Sequence, residues 1–151
     1  MTARTNHRWN TSLAALLVLG VPLLAGPSIA AGNDAAYRAA LTGSSEVPAT
    51  TGAGTGEITA TFDPAAKRLS WSGRYSGLTG PVTAAHFHGP AKAGENAGVL
   101  VPVTAASSPF SGEAILDDAK AADLAAGRVY FNLHTAANPK GEIRGQLERA
   151  P

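Results

Sequence analysis

Eight short runs in which apolar and polar residues alternate, fenced by glycine and proline, restrict this chain to a small set of folds. Residues 37–42, 56–62, 69–75, 83–88, 99–103, 110–116, 129–134 and 142–147 each read as a β-strand, punctuated by a chain-wide 17 glycines and 10 prolines. The alternation is cleanest where Ile58, Ala60 and Phe62 oppose Glu57, Thr59 and Thr61, and where Leu69, Trp71 and Tyr75 oppose Ser70, Ser72 and Arg74. A period of two places one set in a core and leaves the other wet, which is antiparallel behaviour. Trp71 and Tyr75 therefore belong to the core. The expectation is an all-β fold, an antiparallel, Greek-key-like β-sandwich or flattened barrel of about eight strands with one short helix.

Turn chemistry supports this order. Asp63-Pro64-Ala65-Ala66-Lys67 and Asn138-Pro139-Lys140-Gly141 read as tight hairpins, the second making the last two strands paired neighbours. The helix is expected over residues 118–126, capped by Asp117 and stopped by Gly127 in the left-handed region.

Residues 1–30 read as a cleaved secretory signal. Arg4, His7 and Arg8 give a basic start, the apolar run from Leu13 to Ala25 is short, and Ser28-Ile29-Ala30 offers small residues to a peptidase. A membrane-spanning helix needs about 20 apolar residues, so no insertion is expected once the signal is removed. The remaining chain divides into a frayed tail, residues 31–36, and one domain, residues 37–149. Removing Arg4 and Arg8 leaves ten basic against eleven acidic residues, with no basic block, which excludes a nucleic-acid groove or an anionic-membrane patch. The destination is outside the cytoplasm, periplasmic or secreted. With no cysteine, the fold rests on packing alone, and thiolate chemistry and Cys-ligated zinc are excluded.

His86-Phe87-His88 carries the functional signal. On a strand His86 and His88 share a face while Phe87 points the other way, and the same count puts Tyr130, Asn132 and His134 opposite Val129, Phe131 and Leu133. All three histidines beyond residue 30 thus converge if the two strands are neighbours. Alternate residues lie about 6.5 to 7 Å apart, within reach of one ion at metal–nitrogen distances of about 2.0 to 2.1 Å. Three imidazoles suit copper or zinc, with a fourth position for water or an oxygen such as that of Glu95, and the loop 89–98 placed as a lid. The plainer account is that the histidines, with Asn132 and Thr135, hydrogen-bond that loop to the sandwich.

The runs Ala84-Ala85-His86-Phe87-His88-Gly89-Pro90-Ala91, Gly94-Glu95-Asn96-Ala97-Gly98, Tyr130-Phe131-Asn132-Leu133-His134-Thr135 and Asn138-Pro139-Lys140-Gly141-Glu142-Ile143-Arg144-Gly145-Gln146 closely resemble the CHRD domain. That module was first noted as a repeat in chordin and also occurs singly in exported bacterial proteins. The resemblance runs from about residue 37 to residue 147 and implies an exported all-β domain of poorly defined activity. It places His86, His88, Asn132, His134, Glu142 and Arg144 in the family's polar signature. A looser likeness, by fold analogy alone, is to the copper-zinc superoxide dismutases, which also set a His-x-His pair outside a β-sandwich. The further histidines and the disulfide of that architecture are missing here, so a dismutase-like redox protein ranks third.

Around the histidines, Glu142 and Arg144 are read either as a cross-strand ion pair or as groups orienting a ligand or binding an anion. Tyr130, by parity, is expected beside His134. No Gly-x-Ser-x-Gly turn, phosphate-binding loop or dinucleotide fingerprint occurs, and no organic cofactor is expected. Two functions of different class are compatible with this pattern: a non-catalytic domain binding copper or zinc through His86, His88 and His134, and a metal-free module that recognises an extracellular protein partner.

Overall fold

The computed structural model describes residues 1–2 and 34–151, so the expected signal segment lies outside the described residues apart from its first two. Among the described residues nine strands form one antiparallel sheet: β1 (Ala35–Thr42), β2 (Thr55–Asp63), β3 (Arg68–Ser76), β4 (Val82–His88), β5 (Val99–Val103), β6 (Phe110–Ile115), β7 (Tyr130–Thr135), β8 (Ile143–Gln146) and β9 (Glu148–Arg149). Their spatial order is β5-β4-β7-β8-β1-β2-β3-β6, with β9 on β1, and the sheet curls into a nearly closed barrel. Strand β1 starts at Ala35, and Ala35 and Ala36 pair with Phe62 and Thr61, so the expected tail gives up its last two residues to the sheet.

The single last strand read from the sequence is two. The Leu147 N–H bonds the Val129 carbonyl at 2.9 Å, one pair beyond the β7–β8 ladder and in its register, and β9 beyond it pairs with Tyr37 and Arg38 of β1. Gly145 makes the crossing beside β1 feasible, because a Cβ there would stand 2.3 Å from the Ala40 carbonyl oxygen.

Inside the barrel the period of two does what the pattern implies. Tyr37, Ala39 and Leu41 of β1, Ile58 and Ala60 of β2, and Leu69 and Trp71 of β3 point into one apolar core. Trp71 meets Phe87 edge-on at 5.1 Å, and Phe87 reaches Phe131 at 5.0 Å. Each fully buried leucine, isoleucine or phenylalanine here contributes about 1.5–3 kcal/mol by leaving water. Two register partners of β3 and β6, Trp71↔Gly112 and Gly73↔Phe110, set a ring over a glycine with no room for a Cβ.

Local chemistry shapes the ends. Asp63 Oδ1 accepts from the Ala65 and Ala66 N–H groups at 2.8 and 3.0 Å, and the positive φ that closes this hairpin falls on Lys67, at 53°. The one α-helix among the described residues, α1 (Asp118–Ala125), opens with Asp117 Oδ1 accepting from the Lys120 N–H at 2.9 Å. Gly127, at φ 67°, ends it, and Leu124 plugs it into the core.

The expectation of one wet face fails at β7. All six of its residues are buried, because the segments 43–52 and 89–98 lie over the outward side of β4, β7 and β8. Asn96 ties the two covers together by donating from Nδ2 to the Val47 carbonyl at 2.9 Å. The outward polar side chains of these three strands are therefore enclosed between sheet and loops.

Candidate metal centre

Strand pairing alone assembles the site. In the β4–β7 ladder His86 stands opposite Asn132, His88 opposite Tyr130, and Ala84 opposite His134, while Asn132 faces Arg144 on β8. One potential ligand nitrogen from each of His86, His88 and His134 lies within 4.8 Å of the other two. His88 and His134 are buried; His86 is half-buried and forms the side open to solvent.

Hydrogen bonds fix which nitrogens are free. His88 Nδ1 lies 3.0 Å from the Ala97 carbonyl oxygen, and His134 Nδ1 lies 3.1 Å from that of Pro139. A carbonyl only accepts, so both Nδ1 atoms carry the proton and both Nε2 atoms present lone pairs. His88 Nε2 is buried with no partner at all. His134 Nε2 meets His86 Nδ1 at 3.2 Å, so in the metal-free state His86 donates there. An entering cation would replace that shared proton. Anchoring one ring nitrogen on a carbonyl to aim the other is how proteins orient imidazole ligands.

Burial pushes all three imidazoles below the usual histidine range, with like-charge repulsion from His134 and His88 adding to it at His86. Their hydrogen bonds to carbonyls oppose the shift at His88 and His134 without cancelling it. Neutral imidazole is the form that ligates.

Tyr130 does not sit beside His134. Its ring stacks on His88, with centroids 4.8 Å apart and planes 6° from parallel, because the two are register partners. On the β8 side the Arg144 guanidinium carbon stands 3.4 Å from the Tyr130 centroid. The row His88–Tyr130–Arg144 is thus one stack across three strands. A desolvated cation–π contact of this kind contributes about 2 kcal/mol.

Arg144 and Glu142 form no ion pair. Arg144, 1% exposed, donates to the Glu95 backbone oxygen at 2.7 Å and to Asn96 Oδ1 at 3.2 Å. It bolts the 89–98 loop down over the histidines. Glu142, fully buried, accepts from the Thr79 N–H at 2.7 Å, the Thr79 hydroxyl at 2.6 Å and the Thr135 hydroxyl. Burial alone would raise its pKa, but the hydrogen bonds from Thr135 and Thr79 outweigh it and hold the carboxyl below its ordinary range. Glu95 lends its main chain rather than its carboxylate, which accepts from the Lys92 N–H at 3.2 Å and is not part of the histidine group.

Sequence reasoning missed Glu46. It is 5% exposed, its Oε1 lies 3.5 Å from Asn132 Nδ2, and burial raises its pKa to about 7 against the smaller opposing pull of Asn132 and Arg144. Gly141, at φ 132°, sits where any Cβ would strike the Glu46 carboxylate. Glu46 also lines a groove of about 730 Å³ between residues 46–52 and 137–141. Thr79, Ala97 and Pro139 escaped notice too, the last two because a backbone carbonyl leaves no mark in a motif.

A small antiparallel barrel carrying a loop-covered strip of histidines on its outer wall is the class that fold and site define. The family model described as the CHRD domain matches residues 37–147, and the chain belongs to that family. No curated protein and no solved structure matches the chain.

Proposed function

We propose that this protein is an exported, non-catalytic CHRD-domain protein that holds one copper or zinc ion through His86, His88 and His134, for storage, sequestration or structural support. The observation that carries the reading is the division of labour within the rings. His88 and His134 commit Nδ1 to main-chain carbonyls and leave Nε2 unshared with any donor outside the cluster, beside His86 Nδ1. Donors of this kind suit Cu(II) and Zn(II). Export is supported by the basic, then apolar, then small-residue order of residues 1–30.

Calorimetric titration of the untagged, chelator-stripped protein with Cu(II) and Zn(II) tests the metal. A saturable site near 1:1 is expected, lost in His134→Ala; no saturable uptake by the wild type ends the proposal. Affinity falls as pH drops below about 6.5, since protonated imidazole has no lone pair to give, and the depressed pKa values carry the fall to lower pH than for free histidine. Equal uptake at about pH 7.5 and about pH 4 would exclude histidine ligation.

The second reading is a metal-free module that recognises an extracellular protein, and the groove beside Glu46 favours it. Elemental analysis of the purified protein separates the two.

A further inference from the structure

Three buried polar atoms in the covered strip share no hydrogen with any partner: Gln146 Oε1 on β8, and His88 Nε2 and Asn132 Oδ1 beside the other histidines. His88 and Asn132 are diagonal neighbours on the outward face, since Asn132 stands opposite His86 and His88 opposite Tyr130 in the β4–β7 ladder. Neither can donate. His88 carries its proton on Nδ1, toward Ala97, and a carboxamide oxygen has none. Two acceptors buried at diagonal positions of one strip are each costly when left unsatisfied, and such orphans call for a specific cause. A cation placed between them removes both costs at once.

The fold aims the oxygen. Asn132 is 2% exposed, stands opposite His86 in the β4–β7 ladder, and lies two residues before His134 on the same face of β7. Glu46 Oε1 accepts from the Asn132 amide N–H at 3.5 Å, which leaves Oδ1 as the uncommitted end of the amide. Gly141 keeps that position free for Glu46, since a side chain there would meet both the carboxylate and Asn132 Nδ2.

We infer that Asn132 Oδ1 is the fourth donor of the metal centre, making it a closed three-nitrogen, one-oxygen site that selects a divalent ion over Cu(I). This deepens the three-histidine reading and rests on it. An amide oxygen is a hard donor that suits Zn(II) and Cu(II), whereas Cu(I) prefers soft sulfur. Four protein donors close the tetrahedron, the arrangement of sites that hold a metal rather than offer it to a substrate. Glu46 acts as a positioning residue, through the amide it fixes.

The test uses the full untagged chain, stripped of metal, with Zn(II) affinity measured by competition against a chromophoric chelator and Co(II) absorption reporting the donor set. Asn132→Leu is expected to keep 1:1 stoichiometry, weaken Zn(II) by about 10- to 100-fold, change the Co(II) spectrum and leave Cu(I) affinity within about twofold. Asn132→Asp, which keeps the shape and supplies a charged oxygen, is expected to tighten Zn(II) at least about tenfold, and it decides the matter if the leucine variant does not fold. Wild-type affinity and an unaltered Co(II) spectrum in both variants would overturn the fourth donor while leaving the three histidines standing. Failure of the wild type itself to bind would remove the histidine reading and this inference together.

Discussion

The β2–β3–β6 wall and the β4–β7–β8 wall of the barrel share one backbone plan and treat their outward residues in opposite ways. On the first, Glu57 and Arg74 pair at 3.0 Å in open solvent, with exposed Thr59 and Ser72 beside them. On the second, His88, Asn132, His134 and Arg144 are buried under two loops. Covering polar groups is unfavourable unless each finds a partner, and an exposed polar face would have served the barrel equally well. The difference therefore marks the second wall as specialised, and its three grouped imidazoles locate the specialisation.

Breaking the contrast is simplest at its two arginines. Arg144→Ala removes two charge-assisted hydrogen bonds and a desolvated cation–π contact, and an expected loss of about 3–5 kcal/mol should be visible in urea denaturation. Arg74→Ala, at the screened pair, should cost less than about 1 kcal/mol. Similar losses for the two would mean that the loops do not seal the second wall.

The pH response sharpens the comparison. Glu46 has a folded pKa raised from 4.5 to about 7, so the folded protein keeps a proton that the unfolded chain releases. Its contribution is complete below about 4.5 and is lost as pH rises through about 7. The histidines run the other way: with folded values lowered from 6.5, their contribution is complete above that pH and is lost as pH falls toward the depressed values. Glu46→Gln should gain on the wild type by about 2 kcal/mol between about pH 4 and about pH 8, after allowing for water in the groove. Parallel stability curves would show that Glu46 titrates normally.

How much of this was legible in the chain depends on the range of each signal. Strand period, the Asp63 and Asn138 turns, the Asp117 cap and the Gly127 stop are local, and they stand within a residue or two of where the pattern puts them. Parity likewise groups His86 with His88, and the pairing of β4 with β7 brings in His134. The cover was not legible, since it depends on contacts between distant segments: Glu46 with Asn132 across 86 residues, Thr79 with Glu142 across 63. For the same reason Arg144 looked like half of an ion pair, when its partners are a backbone oxygen and an asparagine in a loop 48 and 49 residues away.

Trp71, the one tryptophan among the described residues, packs its edge against Phe87, the residue lodged between His86 and His88 on β4. A single strand's thickness therefore separates an indole fluorophore from the imidazoles on the far side. An open-shell ion such as Cu(II) arriving there should drain the excited indole, whereas closed-shell Zn(II) should leave it bright, so the core carries its own optical readout of the outer wall.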